Sequence, residues 1–165
     1  MPMLRIAPRA RLVMLTVAAS IASGSAASRA DENAFLAGAT RACAGCMLEK
    51  ARLKGRDLAG ADLSGAKLAG AVFHRARLTG ANFAGADLAG ANFNKTDLKN
   101  ASFASASVPG GMFYESDLSV ANLKAANLAE AKMGRARLVR TIFDGAKLAE
   151  AILTGARLDD ASLKG

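Results

Sequence analysis

The hydrophobic positions of this chain recur every five residues from Leu48 to the end of the sequence. Every position whose number ends in 3 or 8 carries a large apolar side chain, and these 24 positions hold sixteen Leu, six Phe, one Val and one Met. Two residues before them the side chain is small at every position except Arg56, with Ala at eighteen of the 24 positions. A period this regular predicts a repeat architecture built from one short unit.

A period of five residues fits neither an α-helix nor an uninterrupted strand. A helix turns 100° per residue, so the apolar residues would scatter around its circumference. In a strand, successive repeats would point to opposite faces. Both conflicts disappear if each repeat is a short extended segment, with its small and large residues inward, followed by a two-residue corner. Gly fills eleven of the 24 second corner positions, Gly60 and Gly85 among them, where a type II turn requires a positive φ.

The spacing of the core Phe residues indicates how many repeats make one coil. Phe73, Phe93 and Phe113 are 20 residues apart, as are Phe83 and Phe103. With four sides and twenty residues per coil, these rings would stack on two opposite walls. The sequence therefore predicts an all-β solenoid of about six coils over residues 46–165, roughly 25–30 Å long at the usual spacing of strands.

Three of the repeats carry a recognisable motif. Residues 61–65, 81–85 and 86–90 read ADLSG, ANFAG and ADLAG, and they resemble the motif of the pentapeptide-repeat family, Ala-(Asp/Asn)-(Leu/Phe)-x-Gly. The resemblance covers residues 46–165 and implies the fold of that family, a right-handed quadrilateral β-helix. Some members mimic the charge of DNA and protect topoisomerases, while most have no assigned activity. The resemblance therefore implies the fold and leaves the function open.

Residues 1–30 are typical of a secretory signal peptide. Three Arg lie in the first eleven residues, Leu12–Ala22 is a short apolar run, and small residues follow up to Ala30. The predicted cleavage site is near Ala30, with Ala27 as the alternative. A membrane anchor would need about 20 apolar residues, and serines interrupt this run. We expect an exported protein, periplasmic or secreted, without a transmembrane segment in its mature form.

Residues 31–45 lie between the signal and the repeats and predict a short N-terminal cap. An open coil end exposes unpaired strand edges, and Phe35 and Leu36 are suited to covering them as a short helix or loop. The repeat itself continues to Gly165. An uncovered last coil makes pairing with a second copy of the chain a further expectation.

Cys43 and Cys46 come directly before the first Leu repeat. A thioredoxin-like centre would need a strand and a helix around them, haem attachment would need a His where Met47 stands, and zinc prefers four ligands although His74 is the only His. The favoured interpretation is a structural cap of the core, whose thiols can pair as a disulfide in an oxidising compartment. The alternative is a periplasmic thiol or metal-handling protein that uses these two residues. A Cys-x-x-Cys segment before the repeats also resembles that of many family members.

Two places depart from the repeat. Arg56 occupies a small inward position, and we expect its guanidinium to leave the core through the open end of the first coil. The segment 107–114 contains Pro109 and two adjacent Gly residues, and it predicts an altered corner or a small bulge. Tyr114 and Glu115 follow on the outside, either as a recognition spot or as part of a harmless irregular corner.

The charge of the chain is concentrated in its first and last parts. The whole sequence has a net charge of +8, but four basic and no acidic residues precede Asp31, and from there the balance is 18 basic against 14 acidic residues. The last two coils hold the candidate binding residues Lys132, Arg135, Arg137, Arg140, Lys147 and Arg157. These could attract an unknown protein or an anionic component of the cell envelope, and the alternative is a plain solvated face. Because the Phe rings point inward and cannot stack on bases, we expect no nucleic acid.

The sequence offers no nucleophile with a base, no phosphate loop and no ligand cluster, so we expect no enzymatic activity and no cofactor or metal. The favoured function is a non-enzymatic exported solenoid that acts as a rigid binding or structural scaffold. A DNA mimic that protects topoisomerases is less favoured, since that function needs an acidic surface and a cytoplasmic protein.

Overall fold

A computed structural model of the protein describes residues 28–165. The predicted signal peptide therefore lies outside the described residues, apart from its last three positions. One helix, α1, spans Arg29–Leu36, and the chain from Ala42 onward forms a four-sided coil. No helix within residues 28–165 has the length and apolar character needed to cross a membrane.

Parallel bridges between residues twenty apart hold the coil together. They form four ladders, which run from Ala42, Met47, Arg52 and Asp57 and which we name face 1 to face 4 in that order. Face 1 has seven rungs and each of the other faces has six, and one outward residue forms each rung. The two residues that follow each face are its corner, and the predicted twenty-residue register is confirmed.

The backbone hydrogen bonds repeat in every unit. In one unit the N–H of Asn82 donates to the carbonyl of Ala61 in the coil before, and the N–H of Leu63 donates to the carbonyl of Asn82 in the coil after, both at 2.8 Å. Each corner is closed by a bond such as that from the N–H of Ala51 to the carbonyl of Leu48, at 3.1 Å. Because these bonds recur in every unit, one short sequence motif suffices to build the whole rod.

The second residue of every corner from Lys50 to Gly165 has a positive φ. This is the geometry of a type II turn, which Gly adopts without steric cost. Thirteen of these residues are not Gly, and among them Val120 has φ 62° with a β-branched side chain. The register of the coil therefore imposes this conformation even where the sequence does not favour it.

The Asp and Asn residues of the outward positions stabilise the corners. The N–H of the first corner residue takes no part in the backbone ladders, and in nine repeats it donates to the side chain of the Asp or Asn two residues earlier. In one example the N–H of Ala84 donates to Oδ1 of Asn82 at 3.1 Å. The nine are Asp57, Asp62, Asn82, Asp87, Asn92, Asp97, Asp117, Asn122 and Asn127. This Asx turn explains why the repeat prefers these two residue types at its second position.

The interior is filled by the inward Leu, Phe and Ala residues, and the Phe rings stack as predicted. On the inner side of face 3 the ring centres of Phe73 and Phe93 are 4.8 Å apart, and those of Phe93 and Phe113 are 5.0 Å apart. Phe83 and Phe103 stack at 4.8 Å behind face 1, and rings of the two walls meet edge to face. Such pairs add about 0.5–1.5 kcal/mol each to the burial of the rings.

Helix α1 lies against the first coil. Ser28 caps its N-terminus in a capping box with Asp31. Phe35 is fully buried in the core, and Oε1 of Glu32 accepts a hydrogen bond from the N–H of Met47 at 2.8 Å. The guanidinium of Arg56 donates to the carbonyl of Leu36 at 2.7 Å. The expected exit of Arg56 from the core is confirmed, and its partner is the negative end of a helix dipole.

One boundary and one corner differ from the sequence interpretation. Helix α1 begins at Arg29, so it spans the predicted boundary at Ala30, and the first parallel bridge joins Ala42 to Asp62, just before the repeats that begin at residue 46. The bridges on both sides of Pro109 keep their register, as expected, but its corner has the same positive φ as the others, so the altered corner or small bulge expected there is wrong. Pro fits here because the first corner residue gives no N–H to the ladder, and Gly111 is required because a Cβ there would lie 2.6 Å from Cγ1 of Val108.

Candidate binding surface

The structure distributes the six predicted basic residues over three faces. Arg137 and Arg157 lie on face 4, Arg140 lies in its corner, Lys132 lies on face 3 and Arg135 lies in the corner after it. Lys147 lies on face 2, which is opposite face 4. The six residues therefore share one end of the rod but do not form one continuous patch.

Four of these six residues are paired with carboxylates. Arg137 lies 3.7 Å from Asp117 and Arg135 lies 3.7 Å from Glu115. Arg140 and Arg157 pair with acidic residues of the last coil, Asp160 at 3.7 Å and Asp159 at 3.2 Å. Exposed pairs of this kind add at most about 1 kcal/mol to stability, but they cancel much of the local field. The basic end is thus less positive than its sequence indicates.

The positive charge of the rod lies on one side of it. Faces 3 and 4 with their corners comprise residues 51–60 and then every second block of ten residues up to 151–160. These residues include 12 basic and 6 acidic side chains, a net charge of +6. Faces 1 and 2 with their corners carry 6 basic and 6 acidic residues. The sequence interpretation missed this asymmetry, although the charges counted in alternate blocks of ten residues would have revealed it.

Face 3 and its corner hold nearly all of this excess. We call this set the face 3 surface; it comprises residues 51–55, 71–75, 91–95, 111–115, 131–135 and 151–155. It carries one acidic residue, Glu115, and six basic ones, namely Arg52, Lys54, Arg75, Lys95, Lys132 and Arg135. Face 4 and its corner hold as many basic residues but five acidic ones, and their ladder of ion pairs neutralises them.

Tyr114 and Glu115 lie in the middle of the face 3 surface. The Tyr114 ring is 40% exposed and lies beside Gly134 of the next coil, where a Cβ would approach it to 3.4 Å. The guanidinium of Arg135 is 5.9 Å from the ring centre, and Glu115 pairs with Lys95 and Arg135 at 3.5 and 3.7 Å. This corner keeps the regular register and adds an exposed aromatic ring to a basic surface.

Two carboxyl groups on this side are held in their charged form. A hydrogen bond with Tyr114 is the main cause that lowers the pKa of Glu115 below its ordinary value; burial opposes it, and the nearby Lys95 and Arg135 add to the lowering. For Asp117, burial raises the pKa, but hydrogen bonds from Ser119 and the charges of Lys99 and Arg137 outweigh it, so the pKa of that carboxyl is also lowered. The basic partners of these two carboxyl groups thus favour their charged forms.

Cys43 and Cys46 form a disulfide at the first coil, and both are almost fully buried. They belong to the same hydrophobic cluster as Phe35 and Leu48. Within residues 28–165, no His, Asp or Glu joins them in a cluster of three metal-ligating side chains. In this state neither sulfur is available as a thiolate, and the bond joins the start of the coil to its first Leu repeat.

The comparisons with known proteins identify the repeat. Residues 46–84, 81–119 and 121–160 match the profile of the pentapeptide repeats, in 8 copies. No curated protein matches the chain in sequence.

Three solved pentapeptide repeat proteins are similar to the chain. Rfr23 from the cyanobacterium Cyanothece 51142 is 24% identical, over 80% of this chain and 97% of its own, with a TM-score of 0.48. HetL, involved in heterocyst differentiation regulation in the cyanobacterium Nostoc, is 23% identical over 75% of this chain and 77% of its own, with a TM-score of 0.40. A protein from the thylakoid lumen of Arabidopsis thaliana is 31% identical over 66% of both chains, with a TM-score of 0.36.

The family match agrees with the architecture described above, because the matched repeats are the units that form the four faces. The fold of this family is a right-handed quadrilateral β-helix, and its proteins are in general structural or binding proteins. The chain belongs to the pentapeptide-repeat family.

Proposed function

We propose that this chain is an exported, non-enzymatic scaffold of six coils, whose rigid rod binds an anionic component of the cell envelope. The observation that carries the proposal is the one-sided charge, +6 on faces 3 and 4 against zero on faces 1 and 2. The backbone register fixes the positions of these charges, so the positive electrostatic potential lies on one side of the rod. Anionic partners are then attracted to a single side of it.

The use of the side chains supports a binding function over catalysis. Inward residues fill the core, and the Asp and Asn residues of nine repeats are engaged in corner turns. Polar residues at inward positions donate to carbonyls, as Thr96 does to the carbonyl of Phe73 at 2.9 Å. The outward side chains therefore remain as the groups that can meet a partner.

Export is supported by the N-terminal pattern and by the chemistry of the first coil. A buried disulfide between Cys43 and Cys46 suits an oxidising compartment. We place the cleavage after Ala27, because Ser28 would then remain as the cap of α1, whereas cleavage after Ala30 would remove the cap and the first helical residues. We also assign α1 the role of the N-terminal cap, since Glu32, Phe35 and Arg56 fix it to the first coil.

The two alternative functions have less support. A thiol or metal-handling site would need accessible sulfurs, and those of Cys43 and Cys46 are bonded to each other and buried. A DNA mimic would need an acidic surface, and neither side of this rod has a net negative charge.

Two measurements test the proposal. The producing cells are fractionated and the intact mass of the protein is measured, with Leu15→Arg as a control that breaks the apolar run of the signal. We expect the parent in the exported fraction beginning at Ser28 and the control in the cytoplasm. A parent that remains cytoplasmic with Met1 in place would refute export.

The second measurement is binding of the exported form to washed envelope fragments. We expect binding at low salt and its loss near 1 M salt, where the Debye length is about 3 Å. Absence of binding at low salt would refute the scaffold as an envelope-binding protein.

A further inference from the structure

The face 3 surface combines positive charge with outward apolar side chains, of which Ile152 and Tyr114 are exposed and Val72 and Met112 are half-buried. Along its central row, basic or polar residues alternate with apolar ones, in the order Arg52, Val72, Asn92, Met112, Lys132 and Ile152. Ile152 is 50% exposed, and the Tyr114 ring lies at the adjoining corner. Side chains of both kinds therefore point from the same flat face.

We propose that the face 3 surface lies on an anionic lipid bilayer, with its basic residues at the head groups and its apolar residues inserted between them. This inference rests on the proposed function and names the anionic partner and the surface that binds it. Of the six predicted basic residues it keeps Lys132 and Arg135. It leaves out Lys147, which lies on face 2, and also Arg137, Arg140 and Arg157, which are paired with carboxylates.

Four basic residues of this surface are free to bind phosphate groups. Arg52, Lys54, Arg75 and Lys132 form no ion pair with any other residue of 28–165 and are exposed. Arg52, Lys54 and Arg75 lie on two successive coils. Each Lys or Arg near an anionic membrane strengthens binding by about fivefold.

The shape of the surface favours a bilayer over a soluble polyanion. The rungs of face 3 are in register at about 4.8 Å spacing, so the row forms a straight, rigid line of outward side chains. A planar bilayer meets this row and the adjoining corner together, and no ordering of the protein is needed on binding. Ile152, Met112 and Tyr114 gain from contact with a membrane interface, whereas a charged polymer in water offers them no apolar partner.

The test compares two variants that lose the same charge from different sides of the rod. The face 3 variant carries Arg52→Gln, Lys54→Gln, Arg75→Gln and Lys132→Gln. The control variant carries Lys67→Gln, Lys124→Gln, Lys147→Gln and Lys164→Gln, which lie on faces 1 and 2 and their corners and form no ion pair within the described residues. Both lose four positive charges, so any effect of net charge is shared.

Binding is measured by cosedimentation with vesicles of phosphatidylglycerol and phosphatidylcholine in equal parts, and with vesicles of phosphatidylcholine alone. The protein is purified as the cells produce it, and intact mass confirms that all forms share one N-terminus. We expect the parent to prefer the anionic vesicles. The face 3 variant should lose this preference by roughly 600-fold at low salt, about fivefold for each of four residues, and the control should lose less than about fivefold. Equal losses in the two variants, or no preference in the parent, would overturn the proposal.

A third variant separates a bilayer from a soluble polyanion. Met112→Ser with Ile152→Ser keeps every charge, and we expect it to weaken binding to anionic vesicles severalfold while binding to heparin stays unchanged. Vesicle binding that does not respond to these two substitutions would overturn the insertion of the apolar residues, and parental binding to heparin alone would overturn the bilayer. Circular dichroism and melting verify that all variants are folded. Because the compartment of the parent is measured separately, failure of this surface is distinguishable from failure of export.

Discussion

The corners of the rod allow a test in which the strain of a fixed backbone conformation changes while side-chain contacts change little. Gly85 has φ 66°, and a Cβ placed on it would meet no atom within 4 Å outside its chain neighbours. Gly85→Val therefore acts mainly through the strain of the corner and the freedom of the unfolded chain. A β-branched residue in this region costs about 1–3 kcal/mol, and the loss of unfolded-state entropy returns about 0.4–1 kcal/mol. We expect a net destabilisation of roughly 1–2 kcal/mol, or about 3–8 °C in melting temperature for a domain of this size.

Val120→Gly makes the reverse change in the same kind of corner. Val120 has φ 62° and is half exposed, so little burial is lost when its side chain is removed. We expect the melting temperature, followed by far-ultraviolet circular dichroism, to rise above that of the parent. If Gly85→Val melts like the parent and Val120→Gly gains nothing, the positive φ of the corners is not a constraint and the corner assignment fails.

Three further predictions concern the core, the cap and the pH dependence. Phe93→Leu should destabilise the rod by about 2 kcal/mol in urea unfolding, since Phe93 has four ring neighbours that contribute about 0.5 kcal/mol or more each. Phe143→Leu, at a position without a ring partner among the described residues, should cost under about 1 kcal/mol, and equal losses in the two variants would mean that ring contacts add nothing. Arg56→Ala should raise hydrogen exchange in α1 and leave the melting of the rod unchanged, and unaltered exchange would refute the role of this side chain in fixing the helix. The pKa values of Asp117 and Asp144 are lower in the folded state than their ordinary value of 3.8. These two carboxylates therefore stabilise the fold above that pH, and their contribution is lost as pH falls below about 4. A melting temperature that is level down to pH 3 would contradict this.

The fold could be predicted from the sequence because the same pattern of inward and corner residues recurs in each repeat. Inward Leu and Ala positions, Gly corners and the spacing of Phe73, Phe93 and Phe113 together determine a period of five and a coil of twenty residues. A single strand or helix would have offered a few ambiguous positions, whereas here every repeat supports the same interpretation.

The details at the N-terminus required the three-dimensional arrangement. The carbonyl of Leu36 becomes the partner of Arg56 because α1 packs against the first coil, and the repeat pattern does not extend to the helix that provides this carbonyl. The predicted bulge at Pro109 failed for a related reason. Proline usually interrupts a ladder, but the corner position it occupies donates no ladder hydrogen bond.

Counting charge along the chain and counting it in the coil register indicate different candidate surfaces. Lys132 and Lys147 are close in sequence but lie on different faces, while Arg52 and Lys132 are far apart in sequence and share one row. Once the twenty-residue register is known, neighbours on the surface are residues that differ by twenty. The same register brings together Arg137 with Asp117 and Arg140 with Asp160.

The twenty-residue register determines which residues are neighbours on every face, and distances between pairs of spin labels test it directly. Because both native cysteines form a disulfide, labels attach at introduced cysteines. One doubly labelled protein carries Ser102→Cys with Asn122→Cys, which are bridged on face 1, and the other carries Ser102→Cys with Met112→Cys, which lie on opposite faces. We expect strong dipolar broadening for the labels at 102 and 122, whose backbones are about 5 Å apart. We expect weak broadening for the labels at 102 and 112, although these two positions are closer in sequence. Stronger broadening in the second pair would contradict the four-sided coil of twenty residues.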